Sequence, residues 1–261
     1  MARTLIQVYG DVGAGQRSLL QLHHALRLFS PKFTVIETDG QRIRERYRLD
    51  ETALLCFGGG YDLGYLRSLE MVGCEIVRDF ILHGGRYLGL CAGAYFASDE
   101  CVFDKDGPLE VCGPRHVKLF EGKAVGPYYP GFVYESEEGA CAIPVLATNP
   151  SISPTSAVTY FNGGCAFKSD TWCRSRALYN YANTNDAAII ACRLGKGWGI
   201  LSGVHLEYDP ALLRTAKTCK PTEAVLTALE SDNANRQRLW DNLIGAILDP
   251  DCDLVPQQHA C

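Results

Sequence analysis

At 261 residues, 47% hydrophobic and 21% charged, the chain reads as a soluble globular protein with room for one large α/β core or two small ones. Its net charge of −5 argues against the basic face that nucleic-acid and membrane-surface binders need, so neither partner is expected. No apolar run approaches the roughly 18 residues of a membrane span. The stretch Met1-Ala-Arg-Thr-Leu-Ile-Gln7 lacks a signal-peptide core, which makes the cytoplasm the expected location.

Twelve cysteines set a disulfide scaffold against a reduced intracellular protein with apolar thiols. Cys56 and Cys192 lie inside apolar segments, the chain is large, and no export signal is visible, all of which favours reduced thiols. No Cys-x-x-Cys pair exists, so a structural zinc site is not expected, and no other metal and no cofactor is expected either.

Residues 4–9 read as a strand, and Gly10-Asp-Val-Gly-Ala-Gly15 as a glycine turn before a helix from about Ser18 to Phe29. The glycine spacing fits neither a dinucleotide fingerprint nor a P-loop, so a plain strand-to-helix turn is the simpler reading. His23 and His24, inside that helix, are most simply structural or solvent-facing. Residues 33–38 form a second strand, and 42–51 a charged surface stretch. Residues 53–57 are wholly apolar, as a buried parallel strand requires, and end in Gly58-Gly-Gly60. Residues 61–73 are an irregular or helical connection. A helix over 74–83 follows, stopped by Gly84-Gly85, with His83 as a helix-end residue.

The next strand, 86–90, delivers Cys91 between Gly89 and Gly93. This is the outline of a nucleophile elbow, a sharp strand-to-helix turn that lifts one side chain above the sheet edge. Positions two before and two after the turn must be nearly bare for strand and helix to approach. A cysteine there would sit at a helix N-terminus, where the unpaired N–H groups favour thiolate. The plain alternative is one more small buried hydrophobe.

Strands alternating with helices at this interval predict an open parallel sheet with helices on both faces. Between about 99 and 179 glycine, proline and aromatic residues become dense, and short alternating strands such as 158–161 look antiparallel. We read this stretch as an inserted mixed β region on the sheet's active edge, with Asn162-Gly163 as a hairpin turn. Residues 187–193 are a core strand, 194–198 a turn and 199–204 a strand ending at His205-Leu-Glu207. A helical extension over about 210–248 reads as two helices, and 249–261 as a frayed tail, all within a single domain over 1–261.

His205 and Glu207 change the reading of Cys91. Alternate residues of an extended segment point the same way, so the carboxylate can orient an imidazole that takes the thiol proton. The order Gly-Gly-Gly, Cys elbow, late His-x-Glu resembles class I glutamine amidotransferase domains. More closely, residues from about Leu5 to Asp209 resemble the N-terminal amidotransferase-like domain of eukaryotic biotin-protein ligases. Five motifs carry it: Gly58-Gly-Gly-Tyr-Asp-Leu63, Gly89-Leu-Cys-Ala-Gly-Ala-Tyr-Phe96, Gly126-Pro-Tyr-Tyr-Pro-Gly-Phe132, Tyr160-Phe-Asn-Gly-Gly164 and Gly203-Val-His-Leu-Glu207.

The resemblance implies an open, mostly parallel, flavodoxin-like α/β sheet with helices on both faces. It implies Cys91 as nucleophile, His205 as base and Glu207 as its orienter, with the N–H groups of Gly59, Gly60 and Ala92 as oxyanion hole. Tyr61, Asp62, Tyr95, Tyr128 and Asn162 would shape the substrate pocket. The reaction would be thioester-forming acyl transfer from a small-molecule amide, followed by hydrolysis. Glutamine amidotransferases follow the cysteine with Leu-Gly-x-Gln, whereas Ala92-Gly-Ala-Tyr95 stands here, and the biotinyl-adenylate loop of the ligases is absent. A non-catalytic ligand-binding or regulatory module using the same cleft, linked to a biotin-protein ligase, is the alternative.

Overall fold

The computed structural model describes residues 3–217 and 219–255. The chain opens with β1 (Leu5–Tyr9), α1 (Gln16–Phe29), β2 (Thr34–Thr38), α2 (Gly40–Arg44) and β3 (Thr52–Phe57). Next come α3 (Asp62–Leu82), β4 (Arg86–Leu90) and α4 (Ala92–Ala97), with Cys91 between the last two. Strands β5 (Ser98–Phe103), β6 (Val111–Pro114), β7 (Phe120–Gly126), β8 (Cys141–Ala147), β9 (Ser156–Phe161), β10 (Ala166–Lys168) and β11 (Ser175–Tyr181) fill the inserted region. The chain closes with β12 (Ala187–Leu194), β13 (Gly197–Ser202), α5 (Pro210–Thr215), α6 (Glu223–Ser231) and α7 (Asn233–Leu248).

All these strands join one open sheet, in the order β2-β1-β3-β4-β13-β12-β10-β7-β5-β6, with β11, β8 and β9 branching from β12. From β2 to β13 every pairing is parallel. Beyond β13 the pairings are antiparallel except β5 with β7. The β pleat sends alternate residues to opposite faces. Leu54 and Cys56 of β3 pack with Leu22 and Leu26 of α1 and Leu239 and Leu243 of α7. Leu55 and Phe57 pack with Tyr65 and Phe80 of α3 and Phe96 of α4 on the other face. Helices therefore cover both sides of the parallel half, and no helix among the described residues is long and apolar enough to cross a membrane.

Several local expectations are corrected. The charged stretch contains α2, capped by Asp39 Oδ1 accepting from Arg42 N at 2.8 Å, and it buries Ile43 and Leu49. The connection after β3 takes the helical one of its two expected forms, running from Asp62 into a single α3 that kinks at Glu70, where φ is +58°. Its first turn starts early because Gly64 lies on Gly13, where a Cβ would come within 2.4 Å of the Gly13 Cα. The Asn162-Gly163 turn does not close a hairpin: β9 pairs with β8, while β10 pairs with β7 and β12. Three helices, not two, follow the last strand, because Asp209 caps a short α5 ahead of α6 and α7.

The tail is tied down as far as it is described. Arg193 Nε donates to Val255 O at 2.7 Å, Arg193 also pairs with Asp253, and Val255 is buried. Residues 256–261 lie outside the described residues. Among the described residues ten cysteines carry free thiols, Cys56, Cys91 and Cys192 included. Cys173 is disulfide-bonded, a departure from the fully reduced expectation.

Two glycine substitutions probe the packing in opposite directions. A Cβ at Gly93 would lie 2.1 Å from Phe57 O, a backbone atom that cannot swing away. Gly93→Ala is expected to cost about 1–3 kcal/mol by overpacking. At Gly245, within α7, a Cβ meets only Phe29 Cζ at 3.9 Å. Gly245→Ala is expected to add about 0.5–1 kcal/mol through helix propensity and lost unfolded-state freedom. Urea unfolding of both variants beside the wild type checks the signs.

Candidate functional site

The three central parallel strands end side by side, and the site is built on those ends. Cys91 follows β4 with φ +50° and ψ −107°, a backbone region that residues with a Cβ avoid. Its N–H donates to Ser202 O of β13 at 2.8 Å, and Gly93 N donates to Gly58 O just past β3 at 3.0 Å. Gly89 and Gly93 are bare for the expected reason: a Cβ at Gly89 would lie 2.6 Å from Gly93 O. The elbow is thus a real turn of the backbone, with its thiol hydrogen directed to Asn162 O at 3.8 Å.

His205 stands just beyond β13, with its N–H donated to Tyr160 O at 2.8 Å. Its Nδ1 shares a hydrogen bond with Glu207 Oε1 at 2.7 Å, so the two side chains do point the same way. That bond leaves Nε2 for other partners, and the Cys91 thiol lies close enough to favour the charged ring. The imidazole rests on Gly59, where a Cβ would be 2.7 Å from His205 Cε1. Tyr208 packs edge-on to the ring, 4.4 Å between centroids, and stacks on Tyr160 at 4.6 Å.

His205 and Glu207 are both buried, the latter completely. Burial works against a charged imidazole, but the Glu207 carboxylate, the nearby Cys91 and the hydrogen bond to Glu207 outweigh it. The His205 pKa is raised to about 10. Arg236 of α7, itself buried, donates through Nη1 to Leu206 O at 2.6 Å and so pins the segment between the two residues.

The proposed oxyanion donors divide. Gly59 N donates to Ser18 Oγ at 2.7 Å and is already spent. Among the described residues the N–H groups of Gly60 and Ala92 meet no acceptor, and both residues line the cleft beside Cys91. Gly60 needs its glycine: φ is +148°, and a Cβ would lie 1.9 Å from Gly13 O. The first glycine turn therefore packs against the second, with Tyr61 N donating to Gly13 O at 2.8 Å and Gly15 N to Gly59 O at 2.9 Å.

Cys91 and His205 open onto a cleft of about 1300 Å³. Tyr61, Asp62, Tyr95 and Asn162 line it. Tyr128 does not: it stacks on Tyr181 at 4.5 Å, donates its hydroxyl to Asp186 Oδ2 at 2.7 Å, and lines a separate, smaller hollow. The sequence reading missed Arg17, Ser18, Glu137, Tyr160 and Tyr208. Glu137, on the loop after β7, accepts from Tyr160 Oη at 2.7 Å and pairs with Arg17 of α1 across the cleft mouth. No spacing signal links these residues, which come from three distant segments. Among the described residues no cluster of three or more His, Cys, Asp or Glu side chains is placed to hold a metal ion.

Residues 4–249 match the family described as biotin-protein ligase, N terminal. A biotin-protein ligase of Schizosaccharomyces pombe is 34% identical over 210 residues, which cover 78% of this chain and 33% of the ligase. An uncharacterized protein of Chlamydia muridarum is 34% identical over 215 residues, covering 78% of this chain and 81% of that protein. Among solved structures, a cytoplasmic protein of Salmonella typhimurium LT2 superposes with a TM-score of 0.51 at 10% identity, over 93% of this chain and 98% of that one. That likeness concerns the fold alone. This chain, which spans about a third of the yeast ligase, belongs to the biotin-protein ligase N-terminal family.

Proposed function

We propose that this chain is a cysteine-dependent amide hydrolase or acyl transferase acting on a small molecule in the Cys91 cleft. The observation that carries the reading is the contact of one buried imidazole with both Cys91 and Glu207, at the foot of a large cleft. Sγ of Cys91 attacks the amide carbonyl carbon with its proton already held on His205 Nε2. The N–H groups of Gly60 and Ala92 receive the developing oxyanion. The C–N bond then breaks as His205 returns the proton to the leaving amine, and a thioester remains. Water, deprotonated by the same nitrogen, adds to the thioester and releases the acid and the free thiol. A high His205 pKa favours retention of the transferred proton between these steps.

A second reading is supported by the engaged Gly59 N–H, which leaves a smaller oxyanion hole than the sequence suggests. In it the cleft holds a ligand without turning it over and serves as a regulatory module beside a biotin-protein ligase. Retained ligand binding in Cys91→Ser, with no amide turned over by the wild type, would favour it. Either role is assigned to the cytoplasm, in keeping with ten free thiols.

Peptide mapping after brief iodoacetamide treatment tests the reactive-thiol reading. Cys91 is expected to label far faster than the other free thiols, and His205→Ala to slow it by about 100-fold, the lower range for a lost general base. Uniform slow labelling of all thiols would sink the hydrolase proposal.

The raised pKa of His205 also sets a pH dependence. The folded state holds a proton on this ring that the unfolded chain releases near pH 6.5. The associated stability is fully present below that value and is lost as pH rises through about 10. Wild-type melting temperature is therefore expected to fall between pH 6.5 and 10 relative to His205→Gln, by about 2–4 °C per kcal/mol lost. Parallel pH curves for the two proteins would count against the assignment.

A further inference from the structure

Beyond Cys91 the cleft runs into an arm with aromatic walls. Tyr95 meets Phe103 edge to face at 5.7 Å, Phe103 meets Phe132 at 5.5 Å, and Phe132 meets Tyr134 at 4.9 Å. All four line the cleft, together with the exposed Glu135 and one buried charged side chain. This is Asp62, the first residue of α3, only 7% exposed.

Arg115 Nε donates to Asp62 Oδ2 at 2.5 Å. Arg115 is itself 3% exposed and spends Nη1 on Gly113 O and Pro114 O at 2.9 and 3.1 Å. It holds the carboxylate and does not itself line the cleft, whereas Asp62 does. The neighbouring Cys101 thiol donates to Val111 O at 3.4 Å and also lies close to the Asp62 carboxylate.

A buried ion pair is a weak stabiliser compared with apolar packing, so its presence on a cleft wall calls for another reason. A fixed carboxylate oxygen beside aromatic faces is the chemistry that recognises an ammonium group, through a charge-assisted hydrogen bond and ring quadrupoles. The same arm repels a carboxylate. The basic side chains of the cleft, Arg17 and Lys217, belong to α1 and the segment after α5, and Arg17 is engaged by Glu137. Burial pushes the Tyr134 phenol up, and Asp62 and Cys91 both lie close enough to add to the effect. The thiol and the carboxylate line the same cleft.

We propose that this arm is a recognition subsite for a primary ammonium group on an apolar stem, so that the ligand of the Cys91 cleft is an amine-bearing amide. The proposal rests on reading the Cys91 cleft as a substrate site.

The test uses the full chain carrying Cys91→Ser, in which ligands bind without reacting. Phenethylammonium, 3-phenylpropionate and 2-phenylethanol share a stem and differ in charge, and their affinities are measured by calorimetric titration. The ammonium is expected to bind about tenfold or more tightly than either of the others. Adding Asp62→Asn should abolish that preference. Should the Asn variant fail to fold because Arg115 loses its partner, Tyr134→Leu, at a residue 40% exposed, should weaken ammonium binding alone. Equal affinities, a preference for the carboxylate, or no measurable binding of any of the three overturns the subsite. Because this variant lacks the thiol, the outcome is read separately from Cys91 alkylation, and either proposal can fail without the other.

Discussion

The left-handed backbone at Cys91 is the constraint on which the site depends. A residue with a Cβ at φ +50° carries strain on the order of 1–3 kcal/mol, and it persists only where neighbours over-determine it. Here the neighbours are the ends of three parallel strands. Ser202 O receives the Cys91 N–H, Gly58 O receives the Gly93 N–H, and the Cys91 carbonyl accepts from Ala94 and Tyr95 at 2.9 and 3.1 Å. These bonds tie the elbow to β13, to the backbone just past β3 and to the first turn of α4, so the thiol, the Gly58–Gly60 backbone and the His205 segment hold one fixed relation. Glycine is required wherever these elements touch, and a Cβ at Gly59, Gly60, Gly89 or Gly93 would enter atoms of the site itself.

The second constraint is charge in a dry place. Glu207 is wholly buried, and among the described residues its Oε2 has no hydrogen-bond partner. An isolated carboxylate cannot stay ionised there without compensation. His205 supplies a hydrogen bond through Nδ1, and the guanidinium of Arg236 lies near enough to both Glu207 and Asp209 to feel their charge, against its own cost of burial. The C-terminal helix α7 is therefore part of the site's electrostatics, although it contributes nothing to the cleft wall.

The parallel half of the fold was legible because its signals are local. Apolar five-residue strands, glycines at their ends and a Cys between two glycines each report a nearby backbone requirement. His205 and Glu207 were legible for the same reason: a spacing of two in an extended segment fixes a shared direction. What stayed hidden depends on partners remote in sequence. Ser18 captures Gly59 N from 41 residues away, Tyr160 reaches Glu137 from the next strand but one, and Arg115 meets Asp62 across 53 residues. Tyr128 misled because its motif pairs it with the cleft, whereas its ring stacks on Tyr181 on the far side of Gly164 O, which accepts its backbone N–H.

These origins divide the labour within the sheet. The parallel half presents the thiol, the imidazole and the open N–H groups from rigid strand ends, where position is set by ladder bonds and close glycine contacts. The inserted β region and its loops supply Phe103, Phe132, Tyr134 and Asn162, held mainly by ring contacts and single hydrogen bonds such as Asn162 Nδ2 to Ser136 O at 2.9 Å. Rings in edge-to-face contact tolerate small displacements, whereas the elbow does not. A fold arranged this way can exchange what it recognises by altering the insertion, while the geometry around Cys91 stays fixed by the strand ends beneath it.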